Sequence, residues 1–401
     1  MKTQYFLIFA ILIILFNGCT SGVQYKALIV TGQSSHNWRA SSPIIKQILE
    51  QTTLFSADIL IAPEKKEEMS TFDPNFSKYN VVVLDYNGDS WSEKTKTAFV
   101  DYVKNGGGVV IYHSADSAFP EWKEFNQMIG LGGWRGRDEK SGPYVYYNKN
   151  KLVIDTTAGS CGSVLKRQEF QVITRNSEHP ITKGLPIGWQ HGSDELYSEL
   201  RGPGKNMEIL ATAFAAGTAG GNRRNEPMLM AVSYGKGRIF HTTLGHADEG
   251  GGPAMECVGF IVTLQRGTEW AASGKVTQKI PYDFPNNGST SLRAGFKEMT
   301  LDDDLAKITT YDLTKSTKYF VDLQSRIRTE AKTPEALQKF EKLIIKVLEN
   351  RKATDDGKKL LLGELSWMGS ELSIPAIKQQ TKNPNLKAAA EFALARLQRS
   401  R

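Results

Sequence analysis

Three of the six histidines in this chain of 401 residues lie just beyond apolar runs. The clearest is His113, which follows Gly106-Gly107-Gly108-Val109-Val110-Ile111-Tyr112 and precedes Ser114-Ala115. A glycine run stops a helix, a short apolar strand crosses a buried sheet, and the chain emerges on a histidine and a serine. His36 follows a first apolar run in the same way, and His246, with Asp248 close behind, follows the last. In an open α/β sheet the carboxyl ends of parallel strands share one edge, and ligands bind there. Neutral imidazoles with a carboxylate in a cleft suit a divalent ion of the zinc or nickel type. The same groups can serve as general acid and base. A strand-end histidine bonded to a neighbouring carbonyl is the structural alternative, and no local His-x-x-x-His spacing selects between these.

Nucleophilic chemistry is less well served. Ser114 would need His246 or His36 as its base, and the flanking Gly-x-Ser-x-Gly pattern is absent. Gly159-Ser160-Cys161-Gly162 imitates a nucleophile turn, but Lys166-Arg167-Gln168 and a strand follow where such a turn needs an apolar helix. Cys161 therefore reads as part of a surface loop, and a cysteine amidotransferase is excluded. Gln190-His191-Gly192-Ser193-Asp194-Glu195 reads either as a capped, solvated turn or as a pair of carboxylates facing a ligand.

The elements that must carry these residues follow from the apolar pattern. Runs at 25–31, 57–62, 79–84 and 108–112 are continuous rather than alternating, as expected of strands covered on both faces. Helices are predicted from Ser42-Pro43 onward, with Ile44, Ile45, Ile48 and Leu49 as the buried stripe, and over 93–104 with Ser92 as cap. The fold class expected is α/β, a doubly wound and mostly parallel sheet of flavodoxin-like type. Further strand-like pieces run from 144 to 243, and a helix closes the unit at 253–265.

Residues 24–285 read as one large domain, 286–330 as a linker and 331–401 as a small all-α tail. The tail's stripes, such as Leu337, Phe340, Ile344 and Val347, resemble HEAT-type helix pairs, and the tail offers a surface for a protein partner.

Charged residues make up 23% of the chain, and its net charge is +7. The basic residues are interleaved with acidic ones and form no stripe with aromatics, which argues against nucleic acid. Lys2 and the apolar run from Tyr5 to Phe16 read as an export signal over 1–18. Phe16-Asn17-Gly18-Cys19 resembles a loose lipobox, so Cys19 is the expected lipidation site of an exported lipoprotein, periplasmic or associated with the outer membrane. Cys161 and Cys257 are expected to stay unpaired.

Many of these segments together resemble the ThuA-like (trehalose utilisation) family, whose fold is that of class I glutamine amidotransferases. They include Val30-Thr31-Gly32, His36-Asn37-Trp38-Arg39, Gly106 to Ala115, Gly132 to Pro143 and Glu178-His179-Pro180-Ile181. Asp194-Glu195-Leu196-Tyr197, Glu226 to Met230 and Phe240 to His246 complete the set. The segment Gly159 to Ser163 departs from the histidine-rich stretch expected there. The resemblance implies metabolism of disaccharides or keto-sugars, and it supplies no settled mechanism. A saccharide ligand would place Trp38 and Trp134 as stacking platforms, with Arg39, Arg137, Asp138, Asp194 and Glu195 as hydroxyl partners. His36, His113 and His246 are then both the catalytic and the metal-ligating candidates. Two classes stay open: a hydrolase or lyase acting on glycosides, and a non-catalytic, membrane-tethered sugar-binding or scaffold lipoprotein.

Overall fold

The structure, a computed structural model, describes residues 22–399. The export signal and Cys19 lie outside the described residues. In chain order the first half comprises β1 (Tyr25–Thr31), α1 (Trp38–Glu50), β2 (Phe55–Ile61), β3 (Val81–Leu84), α2 (Glu93–Lys104), β4 (Gly108–Tyr112) and α3 (Lys123–Ile129). The second half is strand-rich: β5 (Tyr144–Asn148), β6 (Lys151–Asp155), β7 (Ser163–Val164), β8 (Gln168–Thr174), β9 (Gly188–Asp194), β10 (Tyr197–Ser198), β11 (Met207–Phe214), β12 (Asn225–Tyr234) and β13 (Gly237–Thr242). Two helices follow, α4 (Gly252–Glu256) and α5 (Val258–Ser273).

Eleven of these strands form one sheet with the path β2-β1-β3-β4-β13-β12-β11-β8-β9, and the β5–β6 hairpin joins it at β12. The run from β2 to β13 is parallel, and everything beyond β13 is antiparallel. The sheet is thus mixed rather than mostly parallel. The difference arises because the second half returns through hairpins and short connections rather than helical crossovers.

In the parallel half, side chains alternate between two cores. Ala27, Ile29, Val81, Val83 and Val110 pack with Ile45 and Ile48 of α1 and with Phe260 and Leu264 of α5. Leu28, Val30, Val82, Val109 and Ile111 pack on the other face with Phe99 and Val103 of α2 and Phe125 of α3. Burial on both faces is the reason these strands read as unbroken apolar runs. Helix α1 begins at Trp38, earlier than Ser42-Pro43 suggested. Ser41 and Ser42 instead donate to the buried carboxylate of Asp85, at 2.5 and 2.7 Å, tying the start of α1 to the end of β3.

The stretch 286–330 is not a free linker. Phe296 is buried in the α1–α5 core, and Arg293 makes a bidentate pair with Asp283. Two helices follow in the same stretch, α6 (Leu301–Thr309) and α7 (Lys318–Glu330). Their Leu305, Ile308, Leu323 and Ile327 join Phe340, Ile344, Leu361 and Leu365 in a separate core. That core belongs to α8 (Pro334–Glu349), α9 (Asp355–Met368), α10 (Ile374–Gln380) and α11 (Lys387–Arg399). The helical unit therefore starts near Leu301. Charged stretches such as Leu301-Asp302-Asp303-Asp304 hid its first apolar stripe.

Candidate metal centre

Strand β4 delivers His113 to the carboxyl edge of the sheet in a left-handed conformation, with φ +47°, at the start of a short 3-10 turn. A non-glycine residue held there is strained, and such strain collects at functional sites. In hydrolases of related architecture the sharp strand-to-helix turn carries the nucleophile; here it carries an imidazole. Nδ1 of His113 lies 2.6 Å from the Thr243 carbonyl. A carbonyl only accepts, so Nδ1 holds the proton and the Nε2 lone pair faces inward.

Three further side chains converge on that lone pair. Glu195, one residue past β9, places Oε2 3.7 Å from His113 Nε2, 3.4 Å from His36 Nε2 and 3.1 Å from His246 Nδ1. His113 Nε2 and His246 Nδ1 are 3.4 Å apart. All four ligand atoms lie within 4.8 Å of one another. Donors about 2 Å from a common ion stand roughly 3.3 Å apart at the corners of a tetrahedron. Three imidazole nitrogens and one carboxylate oxygen are a donor set of the zinc type, and the group is wider than such an ion requires, so its side chains would close in on binding.

The electrostatics follow from the same contacts. Burial opposes charge on Glu195, yet the imidazoles of His113, His246 and His36 beside it hold its carboxyl well below the usual range. Burial also works against a charged His113, but Glu195, Asp194 and the Thr243 carbonyl outweigh it and raise its pKa. His36 is lowered, chiefly by burial and against the pull of Glu195. The cluster thus favours the ionised form of this carboxylate.

Tyr197 completes the floor. Its hydroxyl is 3.0 Å from His113 Nε2 and 3.3 Å from His36 Nε2, and its ring stacks on His113 at 4.5 Å. Trp134 stands edge-on to Tyr197 at 4.7 Å. Tyr197, Trp134, His36 and Glu195 line a cavity of about 400 Å³ that also takes in Ser114 and Arg135. A larger hollow of about 940 Å³ runs along the edge strand β2, but it contains no histidine and lies away from the cluster.

A family model described as trehalose utilisation, ThuA, matches residues 26–271. The chain belongs to the ThuA family. A ThuA-like protein of known crystal structure from Parabacteroides merdae is 52% identical, covering 69% of this chain and 99% of its own, with a TM-score of 0.67. Another, from Bacteroides uniformis, is 21% identical over 68% of this chain and 97% of its own, with a TM-score of 0.44. No curated protein matches the chain.

Within this ThuA domain the expected site residues divide into three groups. His36, His113 and His246 meet, as their strand-end positions suggested. Glu195 stands among them, with Oε2 within 3.7 Å of a ring nitrogen of each, and it also lines the cavity. Trp38 and Arg39 line an adjoining groove of about 700 Å³ that shares Ser35 and Arg135 with the histidine cavity.

Arg137, Asp138 and Asp194 do not line the histidine cavity. Arg137 is buried, and its guanidinium donates to the carbonyls of Ser117, Ala118 and Gly133 and to Asn126 Oδ1. It anchors from beneath a left-handed turn in which Trp134, Arg135 and Gly136 have φ of +58°, +51° and +79°. Asp138 accepts from the Lys140 amide and caps a 3-10 turn. Asp194 is fully buried and accepts from the Gly245 and His246 amides. Ser114 Oγ pairs with Ser34 Oγ at 3.3 Å rather than with a base.

Cys161 is buried, not on a surface loop, with its thiol 3.1 Å from the Gly132 carbonyl, and burial raises its pKa to about 11. Cys161 and Cys257 are both free thiols. Tyr197 was missed as a site residue. Its only sequence signal was its position two residues after Glu195.

Proposed function

We propose that this ThuA-family chain binds a divalent metal through His36, His113, His246 and Glu195 and acts there on a saccharide, as a hydrolase or lyase of glycosides. The observation that carries the reading is the convergence of three imidazoles and a carboxylate, from four separate strand ends, beside a cavity with an aromatic wall that His36 and Glu195 line. A bound ion of the zinc type supplies Lewis acidity toward a hydroxyl or carbonyl oxygen. Trp134 offers its ring to the apolar face of a pyranose. Tyr197, buried against two ligand histidines, offers a hydroxyl donor to a sugar oxygen. The half-buried Glu195 carboxylate is favoured in its charged form, and away from bulk water that charge acts more strongly.

Zinc titration of protein stripped of metal tests the first half. One equivalent is expected to bind, and His113→Ala is expected to abolish it with the fold retained. A parent protein that binds no divalent ion overturns the metal reading. Turnover of a keto-glycoside by the loaded protein supports catalysis, and binding without turnover favours the sugar-binding alternative.

Export with lipid attachment at Cys19 belongs to the same proposal, supported by Lys2, the apolar run after it and the Phe16-Asn17-Gly18-Cys19 sequence. Among the described residues no helix is long and apolar enough to cross a membrane. Mass analysis of the mature N-terminus from the native host tests the attachment, and a lipid-free terminus overturns it. Trp367 and Phe392, 74% and 58% exposed on the helical unit, support its reading as a surface for a protein partner.

A further inference from the structure

The three histidines of the cluster are not equivalent. His113 has its outer nitrogen protonated by necessity, because that nitrogen faces a carbonyl. His36 likewise turns Nδ1 outward to Ser35 Oγ at 3.1 Å and Nε2 inward. His246 is reversed. Its inner nitrogen is Nδ1, 3.1 Å from Glu195 Oε2, and its outer Nε2 is hydrogen-bonded to the guanidinium of Arg167.

A guanidinium only donates. While Arg167 holds that contact, Nε2 must be the acceptor, so the proton sits on Nδ1 and points at Glu195. In this tautomer His246 steadies the carboxylate but has no lone pair for an ion. To become a ligand it must carry its proton on Nε2, and that proton needs an acceptor. Asp248 Oδ1 lies 3.9 Å from Nε2 and is itself held by Arg167 Nη1. Arg167 also reaches Glu195 Oε1 at 3.5 Å. One cation therefore occupies the outer nitrogen of His246, the acceptor that nitrogen would need, and the second oxygen of the carboxylate.

We infer that Arg167 and Asp248 compete for the outer nitrogen of His246, Arg167 holding the centre in a two-histidine form and Asp248 positioning His246 as the third imidazole ligand. This inference rests on the metal reading above. The Arg167 side chain is 39% exposed, so it can withdraw into solvent without disturbing the core. The exchange moves one proton from Nδ1 to Nε2 through water and leaves the net charge of the ring unchanged. Outer partners that fix a ligand histidine typically alter metal affinity 10- to 100-fold, which sets the expected scale roughly.

The test pairs zinc affinity with nitrogen-15 NMR of the histidine rings, the His246 signal being assigned by its loss in His246→Gln. The metal-free parent is expected to show His246 protonated on Nδ1, and zinc-loaded Arg167→Met to show it protonated on Nε2. Arg167→Met is expected to bind zinc about tenfold tighter and Asp248→Ala about tenfold or more weaker. Asp248→Asn, which keeps an acceptor oxygen, is expected to fall between parent and Asp248→Ala. The ring spectrum separates loss of a competing hydrogen bond from the mere removal of a positive charge. A metal-free parent with His246 already protonated on Nε2 overturns the inference, as does zinc binding equal in all variants. No zinc uptake by either the parent or Arg167→Met overturns the inference together with the metal reading.

Discussion

The carboxylate of Asp194 accepts the backbone N–H of His246 at 3.1 Å. The same carboxylate takes the N–H groups of Gly245 and Glu195, each at 2.7 Å, and His191 Nε2, also at 2.7 Å. It therefore holds the backbones that carry Glu195 and His246, which follow the edge strand β9 and the central strand β13. An asparagine cannot accept all four bonds, because half of its head group donates. Asp194→Asn is expected to weaken zinc binding roughly 10- to 100-fold, the usual scale for partners behind the ligands. Calorimetric zinc titration alongside a urea melt checks this. Unchanged affinity in a folded variant refutes it.

Arg137 is expected to matter for stability rather than for ligand contact. Truncation to alanine leaves the buried carbonyls of Ser117, Ala118 and Gly133 without their donor and removes the support of the left-handed turn at Trp134. The expected loss is about 3 kcal/mol, the scale of abandoned buried hydrogen-bond partners. Urea denaturation reads it. A loss below about 1 kcal/mol would return Arg137 to the rim of the site.

Asp116 predicts a pH dependence of stability. Burial pushes its carboxyl from 3.8 up to about 7, and neither oxygen has a hydrogen-bond partner among the described residues. The unpartnered Nε2 of His241 lies 3.9 Å away. Between about pH 4 and pH 7 the folded chain holds a proton that the unfolded chain has released, so this residue's contribution falls as pH rises through that window. Asp116→Asn removes the cost of the charge. It is expected to be more stable than the parent by about 2–4 kcal/mol at pH 8, with the gain fading toward pH 4. Melts across that range check the slope, and a pH-independent difference counts against it.

The boundary of the main domain is testable by truncation. Phe296 fills the α1–α5 core, and Gln47 and Gln51 of α1 donate to the carbonyls of Gly295 and Phe296. A fragment ending at residue 299 is expected to unfold cooperatively. One ending at Phe284 is expected to lose about 3 kcal/mol or more, as for emptying a buried phenylalanine site. Equal stability of the two fragments would mean that the segment after Phe284 is dispensable.

The parallel half of the sheet was legible because its strands are buried on both faces. Such strands must be continuous apolar runs, and Val81-Val82-Val83-Leu84 and Val109-Val110-Ile111 say so without any partner in view. The family could be read from its scattered motifs for a related reason, since those motifs are strand ends and turns set by local chemistry. His36, His113 and His246 were placed together by topology alone, because parallel strands send their ends to one edge. Glu195 and Tyr197 had no such rule to place them. They follow β9, the last strand on the antiparallel side, whose Gly-Trp-Gln-His-Gly-Ser-Asp has no period-two pattern. Only the pairing of β9 with β8, and of β8 with β11, carries them around to the histidines. The inward turn of Arg137 was likewise invisible, since it depends on three successive left-handed residues that tertiary contacts impose. Local sequence determines where a strand ends and which residue stands there. Which ends meet, and which way a polar side chain faces, is decided by non-local pairing and burial, and these belong to the folded chain.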